Sequence, residues 1–301
     1  MKKILSYEQT IHKVGIVTII WNVFLSVLKF MAGLLAKSSS MISDAVHSLS
    51  DVFTTFIVMI GARIASKESD VDHPYGHERF ESIASIFLGI LLAITALGIG
   101  YSGVKTIIDF TQGEKIESSN LAYLALISAI LSILIKGFMF IYTYRIAKKI
   151  NSCSLKADAF HHLSDSLSSI GSTFGVIGLM IGGNFALLDP IASLIICLFI
   201  LKVAFEIEKE AVNQLVDKAA PDEIVSKIKK SIEEFKDVKE IQTLKTRQFA
   251  NKIYVDVDIC LDKNLTLIES DLIADSIHDY LEATYPDIKH CQIHVNPYRE
   301  K

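Results

Sequence analysis

Two stretches of this sequence decide its fold: Asp44-Ala-Val-His47-Ser-Leu-Ser-Asp51 and Asp158-Ala-Phe-His161-His162-Leu-Ser-Asp165. Six of their eight positions are identical, which makes them a short internal repeat. Each lies in a longer run apolar enough for a helix, rising ~1.5 Å per residue, to cross the ~30 Å of a bilayer's hydrocarbon. Ionisable side chains are rare at that depth, and where they occur they face a protein interior or a water-filled cavity. Residues four apart in a helix share a face, one turn along. His47 with Asp51 therefore forms one claw, and His161 with Asp165 a second. Brought together, the claws offer two imidazoles and two carboxylates, a tetrahedral set suited to Zn2+. Two ionised carboxylates also match the charge of a divalent cation, lowering its cost of residing in a low-dielectric bundle. Asp44, Asp158 and His162 stand near the span ends or off the shared face and read as structural. Lys29 and Lys136, also within spans, read as snorkelling or packing residues.

Outward from the repeat, half of the 301 residues are hydrophobic, only 21% are charged and the mean hydropathy is +0.39, values a soluble domain of this length rarely combines. Charge is segregated along the chain. Six spans are predicted, at roughly Val14–Ala36, Ser40–Ser66, Phe80–Phe110, Ser119–Ala147, Ala157–Gly182 and Phe185–Glu206. The expected organisation is a cytoplasmic N-terminal segment (1–13), a six-helix transmembrane domain (14–208) and a cytoplasmic domain (209–301). Cations set the orientation. Lys2, Lys3 and Lys13, then Arg63, Lys67 and Arg79, then Arg145, Lys148, Lys149 and Lys156 fall on one side. Lys37 and Lys115 are nearly alone on the other, so both termini are expected in the cytoplasm. The net charge of −4 argues against a nucleic-acid binder. Cys153, Cys197, Cys260 and Cys291 form no CxxC pair and read as small apolar fillers in a reducing compartment. No signal peptide is expected, because Met1 to Lys13 is polar and the first apolar run is too long for a cleaved segment.

A second cluster follows the second span: Asp70-Val-Asp72-His73-Pro-Tyr-Gly-His77-Glu-Arg79. Pro74 and Gly76 mark a turn, so helical spacing does not apply, and the residues read equally as a cytoplasmic zinc site or as solvated loop polarity. In the tail, a helix is predicted at Asp222–Phe235, strands near Val238–Arg247 and Lys252–Leu261, a helix at Leu267–Tyr285 and a strand at Ile288–Val295. The alternation Tyr254-Val-Asp256-Val-Asp258-Ile has the period of a half-buried strand, and the αββαβ order suggests a small two-layer α/β domain. His290, Gln292 and His294 should share a face of the last strand.

With the paired HxxxD, the loop histidines and the αββαβ tail, the sequence resembles the cation diffusion facilitator family over nearly its whole length, in its bacterial zinc/iron-efflux form. The resemblance implies an α-helical membrane protein with six transmembrane helices and a cytoplasmic ferredoxin-like domain for metal sensing and dimerisation. It implies a homodimer in a lipid bilayer that exports a divalent metal in exchange for protons by alternating access; the short loops and the absence of a targeting peptide point to a bacterial plasma membrane. Zn2+ is then substrate and regulatory ligand, and no cofactor is expected. The family's transport site maps onto His47, Asp51, His161 and Asp165, its loop site onto Asp70, His73 and His77, and an interface salt bridge onto Arg79 and Asp217. Some bacterial members carry Asp where this chain has His47, an exchange that should turn preference from Mn2+ towards Zn2+ or Co2+. In the tail, where the family has a His-rich binuclear site, this chain offers Gln242, Asp256, Asp271, His294 and Asn296, leaving Asp256, Asp271 and His294 as candidate ligands. An intramembrane metalloenzyme would need a base beside an open metal position, typically HExxH, and His77-Glu78 lacks the second histidine. A metal sensor or scaffold that binds without transporting is the other alternative. Two duplicated ligand pairs inside the bilayer favour passage over sensing.

Overall fold

The computed structural model describes residues 6–36, 39–112, 122–181, 187–249 and 252–299. Six long helices come first: α1 (Tyr7–Ala36), α2 (Ser39–Ala65), α3 (Arg79–Thr111), α4 (Ala122–Ile150), α5 (Cys153–Ile181) and α6 (Leu188–Leu215). They are followed by α7 (Asp222–Glu233), β1 (Glu240–Phe249), β2 (Lys252–Leu261), α8 (Leu267–Thr284) and β3 (Ile288–Pro297). The chain divides into two compact units, Met1–Ala211 and Val212–Lys301.

Within the first unit each predicted span falls on one helix, and the helices outrun the spans where charge begins. α1 starts at Tyr7 rather than Val14, and α6 runs on to Leu215 rather than Glu206. Apolar patterning marks only the part that crosses hydrocarbon, whereas the backbone ladder continues into the polar interface. The expected span ends at Ser119, Gly182 and Phe185 lie outside the described residues. Among the described residues, five helices are long and apolar enough to cross a membrane. The sixth, α5, carries Lys156, Asp158 and Asp165 along its described length.

The helices expose apolar side chains and keep their polar ones largely inside, among buried apolar residues, as lipid-facing helices must. On α1, Ile16, Ile20, Val23, Val27 and Met31 are exposed, while Thr18, Asn22, Ser26 and Lys29 are buried. Two helices stop at residues in the left-handed region, Asn151 (φ 57°) after α4 and Asp217 (φ 62°) after α6. Asn and Asp tolerate that conformation better than other side chains. Each stop is closed by a six-to-one bond, Ser152 N–H to the Ala147 carbonyl and Lys218 N–H to that of Asn213, both 3.0 Å.

Where α1, α3 and α5 begin, apolar side chains pack between the helices. Ile11, Val14, Val58, Ala62, Leu88 and Leu155 pack into one buried cluster there. Beside it Glu81, wholly buried, accepts hydrogen bonds from the Tyr7 hydroxyl, from Ser152 Oγ at 2.5 Å and from Ser154 Oγ at 3.1 Å. One carboxylate thus ties together three helix starts.

In the second unit the sheet runs β1-β2-β3, antiparallel between β1 and β2 and parallel between β2 and β3. This is the expected αββαβ order, with strand and helix ends within a few residues of the predicted ones. Val255, Val257 and Ile259 of β2 meet Ile228 and Ile232 of α7 and Ile277 and Leu281 of α8 in a separate core. A capping box between Thr266 and Glu269 starts α8. All four cysteines are free and buried. Burial, reinforced by the nearby Glu282, pushes the Cys291 thiol up to about 12.

Candidate metal centre in the helical bundle

The two halves of the repeat meet with their partners exchanged. His161 of α5 reaches across to Asp51 of α2, Nε2 to Oδ1 at 3.2 Å, and His47 of α2 reaches to Asp165 of α5, Nε2 to Oδ1 at 3.9 Å. One ligand atom each from His47, Asp51 and Asp165 lies within 4.8 Å of the others, a spacing that can hold a metal ion. His161 joins through its contact with Asp51. Asp51, Asp165 and His161 are largely buried, and His47 is 54% exposed. The four residues that the paired HxxxD singled out are therefore gathered in one place, by helical spacing within each claw and by packing of α2 against α5 between them.

A fifth residue stands among them. Lys136 of α4, 2% exposed, donates from Nζ to Asp51 Oδ2 at 2.6 Å and to Asp165 Oδ2 at 2.8 Å. The reading of Lys136 as a snorkelling or packing residue is corrected here. Lys29 is 4% exposed and donates to Ser48 Oγ at 3.1 Å. An ammonium stretches to the interface only when no partner waits inside, and here two carboxylates do. Apolar periodicity could not reveal this, because the partners lie on other helices. The rule that intramembrane ionisable groups pair with one another was the available signal.

The cluster borders a cavity of about 410 Å³ whose walls include Lys29, His47, Asp51, Ser102, Lys136 and Asp165. Ser102 lies late in α3 and Ser193, also in the wall, early in α6. The cavity therefore lies towards the end of the bundle opposite the Glu81 knot.

The neighbouring polar residues behave differently. His162 Nε2 lies 3.5 Å from Asp158 Oδ2, and Thr55 Oγ1 donates to Asp158 Oδ1 at 3.4 Å, all buried. The side chain of Asp44 lies outside the described residues.

Between α2 and α3, Asp70, His73 and His77 form the second group whose ligand atoms lie within 4.8 Å of one another. Asp70 Oδ1 accepts from the His73 backbone N–H at 2.7 Å, and Gly76 N–H closes a turn onto the His73 carbonyl at 3.0 Å. Gly76 takes φ 96°, which a side chain would resist. The turn brings His77 Nε2 to 3.4 Å from Asp70 Oδ2, and His77 Nδ1 lies 3.2 Å from the Glu68 carbonyl. The His73 N–H, aided by His77, holds the Asp70 carboxyl below the usual carboxylate range.

The tail ligands are not gathered. Among the described residues, Asp256, Asp271 and His294 form no such group. Asp256 sits opposite Gln292 in the sheet and pairs with Arg247 at 3.7 Å, His294 sits opposite Asp258, and Asp271 is on α8. Asn296 Nδ2 donates instead to Gln242 Oε1 at 3.1 Å. Arg79 opens α3 in the first unit, and Asp217 terminates α6 in the second.

Residues 15–216 match the family described as the cation efflux transmembrane domain, and residues 220–298 that described as the cation efflux protein cytoplasmic domain. The uncharacterized transporter MJ0449 of Methanocaldococcus jannaschii is 36% identical, over 95% of this chain and 98% of its own. The manganese efflux system proteins MneP and MneS of Bacillus subtilis are 30% and 29% identical, over 98% and 95% of this chain and 98% and 96% of theirs.

Proposed function

This chain belongs to the cation efflux (cation diffusion facilitator) family of integral membrane transporters, and we propose that its cargo is a divalent transition-metal ion, Zn2+ foremost, bound by His47, Asp51, His161 and Asp165. The observation that carries the reading is the reciprocal pairing of the two claws across α2 and α5 beside a cavity within the bundle. Members of this family move ions and are not enzymes.

Metal binding requires neutral imidazoles and ionised carboxylates, so protons and metal compete for the same lone pairs. An inward-facing site collects metal, and protons entering from the far side displace it once the site faces outward. The N- and C-terminal segments face the cytoplasm, a reading supported by Lys13, Arg63, Lys67, Arg145, Lys148 and Lys149 on that side. The match of the tail to a cytoplasmic domain supports it too. With that orientation, a cavity towards the far end and apolar packing beside the Glu81 knot correspond to the outward-facing state. The working form is a homodimer in a bacterial plasma membrane, its ferredoxin-like tails in the cytoplasm and six spans per copy. Arg79 and Asp217 pair at its interface. The loop group Asp70, His73 and His77 is a cytoplasmic metal site. A regulatory site on the tail falls to Asp256, Asp271 and His294 only if a second copy completes it.

Mn2+ is the second reading, favoured by two relatives named for manganese efflux. Zn2+ is preferred because two imidazoles suit it better than they suit Mn2+. The test is flux of each metal into proteoliposomes across an imposed pH gradient, comparing wild type with Asp51→Ala. Zn2+ flux that exceeds Mn2+ flux and vanishes in the variant is expected. Faster Mn2+ flux would reverse the order of the metals, and flux retained in Asp51→Ala would refute the site.

A further inference from the structure

The buried lysine of α4 does more than fill space, an inference that rests on the transport reading above. Asp51 Oδ2 and Asp165 Oδ2 both accept from its ammonium, at 2.6 and 2.8 Å, while the Oδ1 atoms of the same carboxylates face His161 and His47. Lys136 therefore stands between the two carboxylates and links α4 to α2 and α5. A divalent cation bridging these aspartates would need the oxygens that the ammonium holds. A dication and an ammonium about 4 Å apart repel strongly in a low-dielectric interior, so the two occupants exclude each other. We propose that Lys136 is a tethered competitor of the substrate metal. Its ammonium holds Asp51 and Asp165 together between transport events, withdraws when metal binds and helps drive metal off when it returns.

Three features support this role. Two buried carboxylates facing one another repel, and a cation on a leash keeps the ligand set assembled without a metal. A lysine's long stem and three rotatable donors let the ammonium move between partners, as a rigid guanidinium could not. The adjoining cavity of about 410 Å³ is lined by hydroxyl side chains, among them Ser132, Ser168 and Ser169, that can receive the displaced ammonium. A buried charge that leaves its partner needs such acceptors.

The test uses the full-length protein carrying His73→Ala, His77→Ala and His294→Ala, so that neither the loop nor the tail adds binding, with Zn2+ as the probe. Lys136→Met, which keeps the stem and drops the charge, should bind Zn2+ at least tenfold more tightly in equilibrium dialysis. It should also release Zn2+ at least tenfold more slowly from proteoliposomes. Lys136→Arg, whose planar fork clamps carboxylates in pairs, should bind Zn2+ more weakly than wild type. Unchanged or weaker binding in Lys136→Met would overturn the proposal. So would wild-type affinity in Lys136→Arg, the mark of a charge that merely stands nearby. Should Lys136→Met fail to fold, Lys136→Gln retains hydrogen-bond donors without charge, and the same two results apply to it. Asp51→Asn and Asp165→Asn separate the layers of the argument. If both keep wild-type affinity, the transport site itself is misplaced. If both lose Zn2+ while Lys136→Met binds as wild type does, only the tethered competitor falls.

Discussion

Buried single residues carry much of the account, and they differ in how far the sequence discloses them. His47, Asp51, His161 and Asp165 were legible because the HxxxD spacing is local: a helix alone puts each pair on one face. Lys136 was not, because its partners lie on α2 and α5 and nothing in its own neighbourhood points to them. In the tail, Cys291 was legible as an apolar filler, and its burial makes a sharper claim. Its thiol is pushed up to about 12, so the folded state holds a proton that an unfolded thiol, at about 8.5, gives up. The sign follows: Cys291 favours folding up to about pH 8, and that contribution fades as pH rises towards 12. In the native protein at pH 8.5, N-ethylmaleimide should leave Cys291 unmodified, whereas the denatured chain should react within minutes. Rapid modification of the folded protein would mean that the β3 core is open.

At the scale of elements, the apolar runs located every helix, but they could not locate the ties between helices. Glu81 falls at the start of the third predicted span. Its wholly buried carboxylate accepts hydrogen bonds from Tyr7, Ser152 and Ser154, so it fastens α1 and α3 to the α4–α5 junction. Glu81→Ala strands those hydroxyls in the interior and should cost several kcal/mol, at roughly 1–3 kcal/mol for each buried hydroxyl left without a partner. A clear fall in the melting temperature of the detergent-solubilised protein, smaller for Glu81→Gln, is the expected result. An unchanged melting temperature would show that the knot holds nothing. Close approach between α3 and α6 gives a second prediction. A Cβ at Gly103 would meet the Pro190 carbonyl at 3.0 Å, and at Gly100 the Cys197 sulfur at 2.6 Å. Gly100→Leu should therefore destabilise the bundle more than Gly98→Leu, where a Cβ meets nothing within 4 Å. Equal melting temperatures for the two variants would contradict this packing.

The chain divides into two units, each with buried apolar packing of its own, and the sequence changes from apolar runs to dense charge between them. The alternation of β2 and the spacing of the apolar residues around it were enough to read the tail's αββαβ order. Whether its candidate ligands met was beyond such reasoning, because strands and helices chosen by period do not say which faces converge. Because Ile228, Ile232, Val255, Val257, Ile277 and Leu281 close a core of their own, residues 212–301 expressed alone should unfold in a single cooperative transition. A non-cooperative loss of structure would make the tail dependent on the membrane unit. The first unit's central claim is that metal sits between α2 and α5. X-ray absorption on the zinc-loaded full-length protein carrying His73→Ala, His77→Ala and His294→Ala tests it most directly. The account predicts one bound Zn2+ with a mixed shell of two imidazole nitrogens and two carboxylate oxygens near 2.0–2.2 Å, lost in Asp51→Asn. Folded protein that retains no zinc once the loop and tail histidines are gone, or a zinc shell without imidazole, would contradict it.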